Sequence, residues 1–133
     1  MNKFVAIVKK IDTADGLNIV SFDFLGYKLS MISLDLKDSI KVGVKVELTA
    51  NPSHVAIGKD FSGMVSYSNQ LKAKISELEN GKLLSNIKFQ VGDFTLESFI
   101  TLNSSKKMNL KIDDEVTVFI KATELSILRV LDV

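Results

Sequence analysis

Small hydroxyl and amide side chains gather at three joints of this chain. Ser66-Tyr67-Ser68-Asn69 precedes one strand-like run. Thr101-Leu102-Asn103-Ser104-Ser105 stands where a strand-like run gives way to a helix-like one, and Lys121-Ala122-Thr123 ends another. Serine and threonine hydroxyls, the free amides of a helix start and one lysine are the donors that hold an oxyanion by hydrogen bonds. Such a set supplies many donors and little charge, so it suits a dianion in a nearly neutral protein. Ser104 and Ser105 also have a plainer use as an N-cap, and Lys121 as a solvated strand residue. A charge-assisted hydrogen bond contributes ~1.5–3 kcal/mol net, and micromolar binding needs roughly 8 kcal/mol. Several such donors together with Lys121 suffice; a set without the lysine and one hydroxyl does not.

Other chemistries find little support. The chain has no cysteine, which excludes disulfides, thiolate metal sites and cysteine nucleophiles. A Ser/His/Asp arrangement would have to use the single histidine, His54, in Pro52-Ser53-His54-Val55 at a strand end. The acidic run Asp113-Asp114-Glu115 falls in a predicted turn and reads as a solvated face. There is no glycine-rich phosphate loop and no metal-ligand spacing. The aromatics are mostly phenylalanines in core-facing strand positions, without the interleaved cations of a single-strand nucleic-acid platform. These readings predict a protein that is not an enzyme and holds no bare metal cation.

Composition agrees. The 133 residues carry 17 Lys+Arg against 16 Asp+Glu, a formal net charge of +1. Residues 1–65 hold 8 basic and 7 acidic side chains and residues 66–133 hold 9 of each, so neither half forms a basic arm or an acidic tail. Binding to nucleic acid by the chain itself and steering to anionic membranes are not expected. No apolar run approaches the ~18 residues of a membrane span, and the apolar stretch within Met1–Lys10 is too short for a secretory core. A cytoplasmic protein is expected.

The elements that must position these donors are strands. Phe4, Ala6 and Val8 alternate with Lys3, Val5 and Ile7; comparable alternation recurs at Ile19–Gly26, Val44–Thr49, Ile87–Val91 and Val116–Ile120. Turn signals at Ala14-Asp15-Gly16, Gly26, Gly43, Asn80-Gly81 and Gly92-Asp93 separate them, and Asn80-Gly81 predicts a tight hairpin. Asp35–Ser39 and Asn103–Asn109 alone prefer helix. Pro52 is expected to start or interrupt an edge strand.

The pattern repeats. Asn2–Val8 matches Asn69–Ile75, Ser30–Leu34 (Ser-Met-Ile-Ser-Leu) matches Ser98–Leu102 (Ser-Phe-Ile-Thr-Leu), and Ile40–Ile57 matches Leu110–Ile127 mainly in its apolar positions, with His54 aligned to Glu124. This predicts an all-β chain of two tandem OB-like five-stranded barrels, each with one short helix. Residues 1–58 form a first, degenerate unit, 59–65 a linker and 66–133 a second unit. So small a barrel buries a limited core, and the pair gains from packing together and from homo-oligomerising as a dimer or trimer.

On these residues the second unit resembles the molbindin, or Mop, subfamily of TOBE domains. It carries Ser-x-x-Asn-Gln-Leu-x-x-Lys at 66–74, Ile-Thr-Leu-x-Ser at 100–104, Leu-Lys-x-x-Asp-Glu-Val at 110–116 and Ile-Lys-Ala-Thr at 120–123. The whole chain resembles a tandem di-Mop protein. The resemblance implies an intracellular protein that binds molybdate or tungstate, for storage, buffering or sensing, often at interfaces between Mop units. It implies that Ser66, Ser68 and Asn69 contribute at the opening of the unit. Thr101 and Ser104 would donate from a neighbouring unit, and Lys121, with Ala122 beside it, would supply positive charge. The family's Ser-Ala-Arg-Asn reads Ser66-Tyr67-Ser68-Asn69 here, without the arginine. The first unit departs further. Met1-Asn2 lacks the serine, Ser33 aligns with Thr101, Leu36 replaces Ser104 and Asn51 replaces Lys121, which leaves Ser33 and Asn51 as a weaker second set. The rival expectation is a TOBE-type interaction or oligomerisation module that keeps the fold and has lost its sites.

Overall fold

Residues spaced two apart bury one face of each strand. In β1 (Asn2–Ala14), Asn2, Phe4, Ala6 and Val8 are buried while Lys3 and Lys9 are exposed. The computed structural model describes residues 1–131, so 132 and 133 of the second unit lie outside the described residues. The first unit continues with β2 (Leu17–Phe24), β3 (Tyr27–Ser33), β4 (Lys45–Ala50), a 3-10 turn at Pro52–His54 and β5 (Val55–Gly58). The second holds β6 (Asn69–Asn80), β7 (Leu84–Val91), β8 (Phe94–Thr101), α1 (Leu102–Lys107), β9 (Glu115–Ile120) and β10 (Ser126–Val130). The fold is all-β, two OB-like five-stranded units in tandem, with every strand pair antiparallel.

The fifth strand of each sheet comes from the other repeat. One sheet runs β10-β4-β1-β2-β3 and the other β5-β9-β6-β7-β8. Ser126 faces Thr49 and Val130 faces Val46, while Val55 faces Ile120 and Gly58 faces Thr117. Each exchanged strand covers the free edge of a β4 or β9 that its own repeat leaves open. The cores consequently merge. Phe4, Phe24, Leu71, Phe89 and Val118 belong to one buried cluster, and Phe24 of β2 meets Phe94 of β8 with ring centroids 5.4 Å apart.

Each unit opens on a long strand that serves two neighbours. Asn2–Ile7 pair with β4 and Ile7–Ala14 with β2, and Asn69–Lys74 and Lys74–Asn80 divide likewise between β9 and β7. Bulges between Val8 and Lys10 and between Ile75 and Glu77 bend the strands where they change partner. At the bends Gly43 N donates to Val8 O and Asp113 N to Ile75 O, both at 2.8 Å.

Three local expectations change. The Asp35–Ser39 helix does not form; this stretch is a chain of bends and turns. Its counterpart α1 is capped at both ends. Thr101 Oγ1 accepts from Ser104 N at 3.1 Å, Lys106 and Lys107 lie in the last turn, and Asn109 takes a left-handed φ of 50° after the C-cap. In the first unit Ser33 Oγ instead donates to Asp35 O at 2.9 Å, and Asp38 would put a negative charge at the helix end that disfavours one. The hairpin after Asn80 has a longer connection than a two-residue turn, with β7 starting at Leu84 and Gly81 N donating to Leu84 O at 2.8 Å. Finally, Pro52 opens the 3-10 turn, which delivers the chain into the edge strand β5.

Ladder register also revises one alignment. Ser21 faces Ser30 and Lys88 faces Glu97, so Ser30 corresponds to Glu97, Leu29 to Leu96 and Met31 to Ser98. The match of Ser30 to Ser98 is one residue out of step, which in a strand reverses the face of every side chain. On this register Leu34, not Ser33, stands where Thr101 does.

Candidate functional site

Start from Ser66–Asn69. Tyr67, between the two serines, lays its ring against Phe119 at 5.4 Å between centroids, and Phe61 meets the same ring edge-on at 5.0 Å. Phe119 lies on the outer face of β9 yet is buried beneath these rings. Gln70 Nε2 donates to Tyr67 O at 3.0 Å. The segment is thereby pinned while the Ser66 and Ser68 side chains remain exposed, with no protein partner for either hydroxyl among the described residues.

Asn69 is fully buried, and its carboxamide is committed elsewhere. Nδ2 donates to Ser30 O at 2.9 Å, and Ser30 N donates to Oδ1 at 2.6 Å. Its side chain therefore ties two repeats together. The backbone of Asn69 pairs with Ile120, which brings Lys121 and Ala122 beside the serines. Lys121 is exposed and forms no ion pair among the described residues. Ala122 O accepts from Ile32 N of β3 at 3.0 Å. Ser66, Ser68, Lys121 and Ala122 thus share one end of the second sheet, against the edge of β3.

Thr101 and Ser104 lie elsewhere. Thr101 pairs with Leu84 at the hairpin end of β6, and Ser105 Oγ donates to Asn80 Oδ1 at 3.2 Å. Thr101 Oγ1 donates to Ser104 Oγ at 2.9 Å, leaving the Ser104 hydroxyl proton free to face a ligand. The two donor groups occupy opposite ends of a 12-residue strand. At ~3.3 Å per residue, that length puts them beyond joint contact with one small anion within a single chain.

The weaker set does not converge either. Asn51 caps the 3-10 turn, accepting from Ser53 N at 3.0 Å and Ser53 Oγ at 2.8 Å. Ser33 sits at the far end of the first unit, opposite Asn18. Ser33 does share a cavity of about 400 Å³ with Thr123, opened where the first unit lacks its helix, in which apolar Met31, Leu36 and Ile127 stand beside Asp35, Lys37 and Arg129.

Charged groups near the site are mostly structural. His54 Nδ1 meets Glu124 Oε2 at 2.9 Å, so two residues aligned by the repeat pair with each other across the units. Lys59, just after β5, binds Asp114 Oδ2 at 3.0 Å and Asn109 O at 2.9 Å. The Lys59 ammonium, with the Lys111 amide, holds the Asp114 carboxyl below the usual carboxylate range. Among the described residues no three His, Cys, Asp or Glu side chains gather as a metal-cation site. Sequence reasoning missed Tyr67, Phe61 and Phe119, whose only signal was an aromatic within the Ser-x-Ser-Asn run. It also missed the Ser30 platform, which carries no side-chain signal because its backbone does the work.

An exchanged pair of five-stranded units defines a class of tandem OB-like β proteins. The TOBE-domain family model matches residues 66–127. A probable molybdenum-pterin-binding protein of Haemophilus influenzae is 33% identical over 64 residues, spanning 47% of this chain and 93% of that protein. The cytoplasmic molybdate-binding protein ModG, crystallised with molybdate bound, shares the fold, with a TM-score of 0.84 over 95% of this chain and 94% of that chain at 20% identity. A molybdate-binding protein from Sporomusa ovata is 30% identical, covers 50% of this chain and 100% of its own, and has a TM-score of 0.49. The chain belongs to the TOBE-domain family, and the likeness to ModG shows the same fold over nearly its whole length. The named relatives are binding proteins, and the family is not one of enzymes.

Proposed function

We propose that the chain binds molybdate or tungstate, as an intact tetrahedral dianion, for cytoplasmic storage, buffering or sensing. The observation that carries this reading is the half-site at Ser66, Ser68, Lys121 and Ala122. Its hydroxyls and ammonium are exposed and, among the described residues, unpaired, and its supporting backbone is held by hydrogen bonds. Family membership supports the ligand class; molybdate and tungstate share charge and shape, so both are expected to bind.

The separation of Thr101 and Ser104 from that half-site supports a homo-oligomer, a dimer or trimer, in which a second copy completes the donor set. Exposed Leu83 and Leu84 beside Thr101, and exposed Met64 and Val65 beside Ser66, are apolar surfaces that such contact would cover. In this reading residues 1–58 and 66–133 are the functional units and 59–65 joins them. The donor set sits in the second unit, and Ser33 and Asn51 add little.

Thermal melting with molybdate, tungstate and sulfate tests the proposal. At a hundredfold excess over Kd, binding adds about 2.7 kcal/mol of stability, so molybdate and tungstate raise Tm while sulfate leaves it unchanged. Lys121→Ala removes a contribution of ~1.5–3 kcal/mol and abolishes most of the shift; Asn51→Ala retains it. Unchanged melting with both oxyanions would favour the interaction-module reading and overturn this one.

A further inference from the structure

We propose that Asn69 is a positioning residue for the oxyanion donors, and that the first repeat serves the second as a platform that sets their spacing. This rests on the oxyanion reading above. β3 is the edge strand of its sheet, so alternate residues turn their N–H and C=O away from β2. Two successive outward positions are occupied by the second repeat. The Asn69 carboxamide fills both groups of Ser30, at 2.6 and 2.9 Å, and Ala122 O accepts from Ile32 N at 3.0 Å. Asn69 directly follows Ser68, and Ala122 directly follows Lys121. One strand edge of the degenerate repeat therefore anchors both donor segments, two residues apart on the same rail. A carboxamide is suited to this because it presents one donor and one acceptor with the geometry of a peptide group. Burial makes the arrangement stiff, since leaving either Ser30 group unpaired would carry a desolvation cost. Loss of donors from the first repeat is then compatible with its retention, because its contribution is made by backbone atoms.

The molecule contains its own control. Asn2 Nδ2 donates to Glu97 O at 2.9 Å, and Glu97 N donates to Asn2 Oδ1 at 2.7 Å. This tie is the reciprocal of the first in geometry, and Asn2 is 3% exposed. It differs in what it holds, since Met1 and Lys3 flank Asn2 where serines precede Asn69.

The test compares Asn69→Ala and Asn69→Ser with Asn2→Ala and Asn2→Ser in the full chain, measuring Tm without ligand and the Kd for molybdate by calorimetry. Both sites are expected to lower Tm by similar amounts. Asn69 variants weaken molybdate binding by about tenfold or more, and Asn2 variants change it by less than about twofold. The serine variants keep a polar group against the edge and supply folded protein if alanine does not. Wild type that fails to bind molybdate overturns the oxyanion reading and this inference together. Wild type that binds, with Asn69 and Asn2 variants affected alike or not at all, overturns this inference alone.

Discussion

At the residue scale, charge and hydroxyl chemistry have been separated. In the proposed site Ser66, Ser68 and Lys121 are exposed and Ser104 half-buried, while the ionic contacts hold backbone in place. Lys59 and Asp114 illustrate the second use, fastening the segment after β5 to the loop before β9. Because the folded Asp114 carboxyl titrates below its unfolded value, its contribution is present above the usual carboxylate range and is lost as pH falls through the folded value. Asp114→Asn is therefore expected to lower Tm most at neutral pH, and the gap from wild type narrows on acidification. A gap independent of pH in parallel melting curves would contradict this assignment. The donors were legible as residue types in the sequence. The job of Asn69 was not, because a buried carboxamide and a ligand-binding one look alike until the partner strand is seen.

At the element scale, the two units solve one bend in two ways. Gly43 has φ of 94° and Asp113, its counterpart, has φ of 75°, each donating its amide to the bulged strand. Aspartate tolerates the left-handed region better than a β-branched residue does. Gly43→Asp is expected to cost less than about 1 kcal/mol, and Gly43→Val at least ~1–2 kcal/mol, read by chemical denaturation. Equal losses would show that φ is not what limits this position. The strands were legible because alternation needs only local sequence, and burial enforces it. The first helix was not, since its failure turns on register: Leu34, with no hydroxyl, stands where Thr101 caps α1. Register was misread by one residue at Ser30 because similar letters, rather than the faces they present, guided the alignment.

At the scale of the whole molecule, exchange of β5 and β10 makes each barrel depend on the other. With one merged core, neither unit can open without stripping an edge from its neighbour. The chain is expected to unfold in a single cooperative transition, its calorimetric enthalpy matching the van't Hoff value. Two resolved transitions, with molybdate shifting only one, would show that the units are energetically separate.

What the sequence by itself determined was the class of fold, its twofold repetition and the residue types available to an oxyanion, because periodicity and composition act locally and read without partners. Only the tertiary structure decided which repeat receives each fifth strand, that Asn69 faces Ser30 instead of a ligand, and that the two donor groups stand at opposite ends of β6. Strand edges are chemically alike along any chain. Which edges meet is settled by bends, burial and closure of the whole core, and no short window of residues contains that information.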